Sequence, residues 1–290
     1  MLIAMNTLTK KQHYIPQFFL KNFSIDNLAK SVYIYDVASQ NEKTQIQNRR
    51  NIEKFCHKKY LYGKDNIIEK FLNLRENQQA PIISNIIKHN NILDAYKSTI
   101  NEIFVDFLIR LPHIKGSFEE TFGKIEHGSI NQKNYNQQMK GIMESAPASL
   151  NHLEIILIVN KSSVKLITSD QPITTCCKIL NSPPHLKHDF VETYQKLFLL
   201  PISPELIICM YNKSEFEPIG MHEGKIVIRD SDIIKKINIY KFSGSENVIY
   251  SSCCQIESIS ESHQLFISFI KEEKPNFELI NNVLFISSKN

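Results

Sequence analysis

Four residues carry types that could work together on a phosphate ester: His13, Glu76, Arg110 and Asp170, one imidazole, two carboxylates and one guanidinium. His13 and Gln17 lie in the string HYIPQFFLKNF, residues 13–23, among Tyr14, Ile15, Phe18, Phe19, Leu20 and Phe23. A polar side chain in that surround is either hydrogen-bonded in the core or held for chemistry, since burying it unpaired costs roughly 1–3 kcal/mol. His13 thus reads either as a core histidine or as a base or ligand. The other nine histidines lack convincing ligand spacing, although His185 and His188 stand three apart in a proline-rich stretch.

Glu69 and Glu76 are seven apart, so on one helix they share a face about 10 Å apart. That separation is too long for one ion, and Glu69 reads as part of a solvated face. Arg110 can pair with Asp106 one turn earlier, worth about 0.3–0.5 kcal/mol if exposed, or offer its planar fork to a phosphate or carboxylate. Asp170 follows an expected strand over 164–168, and Pro172 helps fix the turn after it. Its carboxylate either projects from a sheet end, where sites are often built, or closes an Asx-type turn.

The elements that must position these residues follow from periodicity. A helical turn is expected for the opening motif, then a strand over 31–36, with a polar loop or edge hairpin over 38–50. Ile67, Phe71 and Leu74 share a helical face, a pattern resumed at Ile82, Ile83, Ile86 and Ile87, with a kink or break expected at Pro81. Ile100, Ile103, Phe104, Phe107, Leu108 and Leu111 define a second helix, stopped at Pro112. Residues 116–150 are polar and weakly periodic, and read as a mobile pair of helices or an insertion over a cleft.

From Leu153 onward the runs are short and β-rich: 154–159, 164–168, 197–200, 206–210 and 225–228. Pro183 and Pro184 favour an extended connection, Ser231 is a plausible cap for the helix that follows it, and a last helix is expected over 257–271, ended by Pro275. The fold expected is α+β, a helix-rich N-terminal half packed on a mixed or antiparallel sheet from the C-terminal half, as one domain over 1–290.

Composition narrows the classes. The chain has 290 residues, 42% hydrophobic and 22% charged, enough to bury a core without disulfides. Its net charge of +4, from 34 basic and 30 acidic side chains, has no block that would make a nucleic-acid tail. The cysteines at 56, 176, 177, 209, 253 and 254 form no Cys-x-x-Cys pair and read as structural thiols of a reducing compartment. No signal-peptide or membrane-span pattern is present, so a cytoplasmic protein with no membrane partner is expected. With eight glycines, no Walker loop, no dinucleotide fingerprint, no Gly-x-Ser-x-Gly elbow and no His-Glu-x-x-His, the sequence disfavours nucleotide-driven motors, Rossmann oxidoreductases and α/β hydrolases.

His13-Tyr14-Ile15-Pro16 followed by Leu20 and Phe23 resembles the opening of the bacterial domain-of-unknown-function family 4238. Three further segments are similar to that family: residues 76–80, Arg110-Leu111-Pro112, and Thr168-Ser169-Asp170-Gln171-Pro172 with Leu200-Pro201-Ile202-Ser203-Pro204 after it. The likeness spans roughly residues 11–255. Family members more usually carry a threonine where Leu111 stands and an asparagine where Gln171 stands, so no hydroxyl acts at position 111 here.

Placing His13, Glu76, Arg110 and Asp170 in those segments leads to one expectation: a metal-dependent hydrolase of a phosphate-bearing substrate, such as nucleic acid in a defence or toxin setting. In that reading His13, Glu76 and Asp170 are catalytic, Glu76 and Asp170 hold magnesium or manganese, and Gln17, Arg110 and Ser169 bind substrate. The alternative is a binding or interaction module in which the same residues form a buried polar network.

Overall fold

A computed structural model of the chain describes residues 10–25, 29–37, 39, 46–64, 66–126, 128–177, 196–252, 255–271 and 284–287. The sequence expectations that rest on Pro183–Pro184, His185, His188, Cys253, Cys254 and Pro275 fall outside them.

The α+β fold places its helices mainly in the N-terminal half and its sheets mainly in the C-terminal half. The central sheet has five strands in the order β11-β5-β9-β8-β7: β5 Glu154–Asn160, β7 Thr174–Cys177, β8 Lys196–Ser203, β9 Leu206–Tyr211 and β11 Lys225–Ile228. It is mixed, because β11 runs parallel to β5 while the remaining pairs are antiparallel. Side chains alternate across a strand, and here both faces are apolar. Leu157, Val159, Phe198, Leu200, Leu206, Ile208 and Met210 face the helices of the N-terminal half. Ile156, Ile158, Leu197, Leu199, Ile207 and Cys209 face the other way, onto Ile234 and Ile237 of helix α6 (Ser231–Ile239).

A second sheet has the order β3-β2-β12-β6, formed by β2 Ser31–Asp36, β3 Ile46–Asn51, β6 Thr168–Ser169 and β12 Asn247–Tyr250. The polar stretch over 38–50 therefore ends in an edge strand. Val32, Ile34 and Ile249 send this sheet into the same core as the helices, while Tyr35, Val248 and Tyr250 pack with Phe242 and Ile259 of the last helix, α7 (Ile256–Lys271). Two small ribbons complete the sheets: β1 (Lys11–His13) with β4 (His57–Lys59), and β10 (Phe216–Pro218) with β13 (Phe285–Ser287).

The opening motif splits between elements: His13 ends β1, and Gln17 starts the short helix α1, Gln17–Lys21. Helix α2, Ile67–His89, runs unbroken through Pro81, against the expected break. Pro81 is exposed, so the bond it cannot give to the carbonyl of Asn77 is lost on the solvent side, while buried Ile83 and Ile86 hold the second half to the core. Helix α3, Lys97–Ile109, stops where expected, and Pro112 opens helix α4, Pro112–Phe122. With α5, Ile130–Ser149, this makes the 116–150 region a pair of helices; α5 buries Tyr135, Met139 and Met143 in a cluster shared with α2 and α3.

The expected strand over 164–168 shrinks to Thr168–Ser169. Side chains take the hydrogen bonds a ladder would have used: Asn160 Nδ2 donates to the Val164 carbonyl, Asn238 Nδ2 and Gln255 Nε2 to that of Lys165, and Ile167 N–H to Asn238 Oδ1. The cap of α6 is Asp230 in place of Ser231, its Oδ1 accepting from Asp232 N–H at 2.8 Å. Cys56 and Cys209 are both buried. Among the described residues no helix is long and apolar enough to cross a membrane.

Candidate functional site

The site is assembled at the C-terminal end of α3. Pro112 forces Leu111 into an extended conformation, so the chain bends at Arg110, a cation at the end of a helix where the carbonyl dipoles favour positive charge. The Arg110 side chain is 3% exposed; Nη1 lies 2.7 Å from Glu76 Oε1, and Nη2 donates to the main-chain carbonyl of His13 at 2.7 Å. Three of the sequence candidates thus meet on one guanidinium. Arg110 does not pair with Asp106 as a sequence neighbour could; Asp106 Oδ2 accepts from Arg75 Nε at 2.7 Å and Gln79 Nε2 at 2.6 Å. Arg75 and Glu76 on α2 therefore meet Asp106 and Arg110 on α3 as two ion pairs of opposite polarity.

β1 and β4 bring in a second histidine. Their register sets His13 opposite His57, and the two rings meet edge to face with centres 5.4 Å apart. Gln17 Nε2 lies 3.5 Å from the His13 ring nitrogens, at the limit of a hydrogen bond. The ribbon is pinned from below by Gln12, fully buried, whose Nε2 donates to the Gly63 carbonyl and whose Oε1 accepts from Tyr62 N–H. Gly63 sits at φ +92°, a backbone conformation that side chains other than glycine rarely adopt.

Glu69, read from the sequence as solvated, instead belongs to this group. Its Oε2 is buried and has no hydrogen-bond partner among the described residues. Burial raises its pKa to about 7, an effect opposed by Arg110 and reinforced by the Glu76 charge. His13 moves the opposite way, down to about 4, chiefly by burial and then through His57 and Arg110. Tyr62, wholly buried between these groups, is pushed up to about 12 by burial against the opposing pull of Arg110. Burial works against the charge on Arg110 too, but Glu76 and Tyr62 more than compensate, so it stays protonated. At neutral pH the group comprises a neutral imidazole, a carboxyl near its midpoint, and a Glu76–Arg110 ion pair.

Asp170 and Ser169 are held elsewhere. Asp170 accepts from Glu246 N–H, Asn247 N–H and Asn247 Nδ2 at 3.0–3.2 Å, which anchors the start of β12. Burial still lifts it to about 6, against the Asn247 hydrogen bond. Ser169 Oγ donates to the Gln171 carbonyl and accepts from Ser245 Oγ, a local turn. Among the described residues no hydrogen bond or ion pair joins Asp170 to His13, Glu76 or Arg110; it is coupled electrostatically to Tyr14 and Cys56, which flank the two histidines.

The residues gathered on Arg110 come from the segments that open the family likeness, and a scan against family models matches residues 11–253 to a protein family of unknown function, DUF4238. The chain belongs to the DUF4238 family. No curated protein and no solved structure matches it. In this DUF4238 protein, sequence reasoning identified His13, Gln17, Glu76 and Arg110 but missed His57, Glu69 and Tyr62. The seven-residue spacing of Glu69 and Glu76 was the available signal for Glu69; for His57 and Tyr62, which depend on strand register and a distant helix end, the sequence carried none.

Proposed function

We propose that this DUF4238 protein is a hydrolase of a phosphate-bearing substrate, acting at the half-buried side chains His13, Gln17, His57, Glu69 and Glu76 around Arg110. The observation that supports it most is the pair of opposed shifts around one guanidinium: Glu69 protonated up to about pH 7 and His13 neutral above about pH 4. Two titratable groups pushed apart in this way are suited to the roles of acid and base. Neutral His13 takes a proton from the attacking water, whose oxygen bonds to phosphorus; as the P–O ester bond breaks, Glu69 gives its proton to the departing oxygen. Arg110 is a positioning residue, fixing Glu76 and the His13 backbone. Gln17 orients the imidazole.

The divalent ion called for by the sequence would need Glu76 and Asp170 on one centre. Glu76 is engaged by Arg110 and Asp170 by the backbone of residues 246–247, and among the described residues no group of three or more His, Cys, Asp or Glu is placed to hold a metal ion. These residues do not fit a shared ion. The buried free thiol of Cys56 supports a reducing, cytoplasmic setting.

The test is turnover of bis(p-nitrophenyl) phosphate and p-nitrophenyl phosphate with the chelator EDTA or with added magnesium or manganese. Expected is hydrolysis of at least one ester, insensitive to EDTA and lowered about 100-fold by His13→Gln and by Glu69→Gln. Folded protein that turns over neither ester under any condition overturns the reading.

A second reading, a binding module without catalysis, is favoured by the near-complete burial of Arg110, with both terminal nitrogens occupied by protein atoms. It predicts that substitutions at His13 and Glu69 change stability alone.

A further inference from the structure

Beside His13 and His57, the β1–β4 ribbon concentrates positive charge. Its register places Lys11 opposite Lys59 and Lys58 opposite Gln12. Because side chains alternate, Lys11 and Lys59 share the face that carries His13 and His57, one step of about 7 Å farther along the strands. The flanking residues continue the pattern: Lys59 Nζ and Lys64 Nζ lie 5.6 and 5.2 Å from the centre of the Tyr60 ring. Lys10, Lys11, Lys58, Lys59 and Lys64 are all exposed, and among the described residues none takes part in an ion pair.

Like charges directly opposite each other weaken a strand pair, so the Lys11–Lys59 juxtaposition opposes the fold. Lysine on an exposed edge can guard against aggregation. That role accounts for single lysines; it does not account for two cations set around an aromatic ring, in line with a pair of histidines. Rows of cations with an aromatic face among them are how proteins track a phosphodiester backbone while stacking a base. The exposed positions of this face are polar, with no apolar side chain to enter a lipid surface.

We propose that the β1–β4 ribbon grips a single-stranded nucleic acid, with Lys11 and Lys59 on adjacent phosphates and a base stacked on Tyr60, and delivers the strand to the His13 and Glu69 side chains. The destination rests on the hydrolase reading above; the grip does not. Two narrow strands and one aromatic platform match a single strand, whose bases are free to stack.

The experiment is fluorescence anisotropy of a labelled 20-nucleotide single strand with the full chain, over a range of salt concentrations. Expected for Lys11→Ala/Lys59→Ala is a Kd raised about tenfold at low salt, and a slope of log K against log salt shallower by about 1.4, the value for two lost phosphate contacts on a single strand. Tyr60→Leu raises Kd about tenfold with the slope unchanged. The control Lys161→Ala/Lys213→Ala removes the same charge from exposed positions off the ribbon and leaves binding unaltered. Thermal melting of the ribbon double variant should match or exceed wild type, since a repulsion is removed.

Equal losses in the ribbon and control variants overturn the proposal, as does equal affinity for polyglutamate or for anionic phospholipid vesicles. The two readings fail separately. Binding with no hydrolysis of any ester removes the hydrolase and supports the ribbon, whereas ester turnover with no strand binding overturns the ribbon alone.

Discussion

Arg110 Nη2 donates to the main-chain carbonyl of His13 at 2.7 Å, joining residues 97 apart in sequence. The same guanidinium holds Glu76 Oε1 at 2.7 Å, so one side chain locks the C-terminal end of α3 to both α2 and the β1–β4 ribbon. The geometry of the candidate site depends on this clamp more than on any residue that would meet a substrate.

Removing the clamp should be costly. Arg110→Ala strands Glu76 in a mostly buried place and leaves the His13 carbonyl without its donor, a loss of about 3–5 kcal/mol. Arg110→Lys keeps the charge but cannot serve both partners with one ammonium, so an intermediate loss is expected. Urea denaturation of both variants checks this; a change below about 1 kcal/mol in the alanine variant would show that the clamp carries little load.

Glu69 makes stability depend on pH in a stated direction. Its folded pKa is raised from 4.5 to about 7, so the folded state holds the proton more tightly than the unfolded one. Its contribution is full below about pH 4.5 and is lost as pH rises through 7. Glu69→Gln should therefore gain on wild type between pH 5 and pH 8, by on the order of 1–3 kcal/mol. Melting curves across that window would show it, and a constant difference would refute it.

His13 titrates with the opposite sign. With its pKa lowered from 6.5 to about 4, the folded state binds protons less readily, and stability falls as pH drops from 6.5 through 4. The two groups together predict a bell-shaped pH dependence of kcat/KM with limbs near 4 and 7. In Glu69→Gln the residual rate should lose the alkaline limb; persistence of that limb would assign it to another group.

Asp170 should prove structural. Asp170→Ala leaves the amides of Glu246 and Asn247 without their acceptor and is expected to lower stability by about 1–3 kcal/mol. The fraction that remains folded should retain wild-type turnover. Loss of activity at unchanged melting temperature would return Asp170 to the catalytic group.

How much of this was readable in the sequence depended on the range of the forces involved. The 100–111 periodicity and the Pro112 stop are local, and both appear in α3. The short β-rich runs at 154–159 and 206–210 likewise became β5 and β9. Residues 164–168 looked like a strand because Val164, Ile167 and Thr168 are β-branched, yet Asn160, Asn238 and Gln255 reach Val164, Lys165 and Ile167 from elsewhere and take their hydrogen bonds. The site divides in the same way. His13, Glu76 and Arg110 could be named from type and motif, but the partner of Arg110 stayed open between Asp106 and another anion, because Asp106 is its neighbour in sequence while Glu76 is its neighbour in space. His57 became relevant only through strand register.

The family match ends at residue 253, yet the fold does not. Leu284 and Phe285 fill the cluster behind the central sheet, where the Phe285 ring meets Tyr211 and Phe216, and α7 lays His263 flat against Phe242. A shortened version stopping at the family boundary would bare these aromatic flanks to water. The family match and the packed core therefore cover different lengths of this polypeptide, and expression work should keep the residues beyond 253.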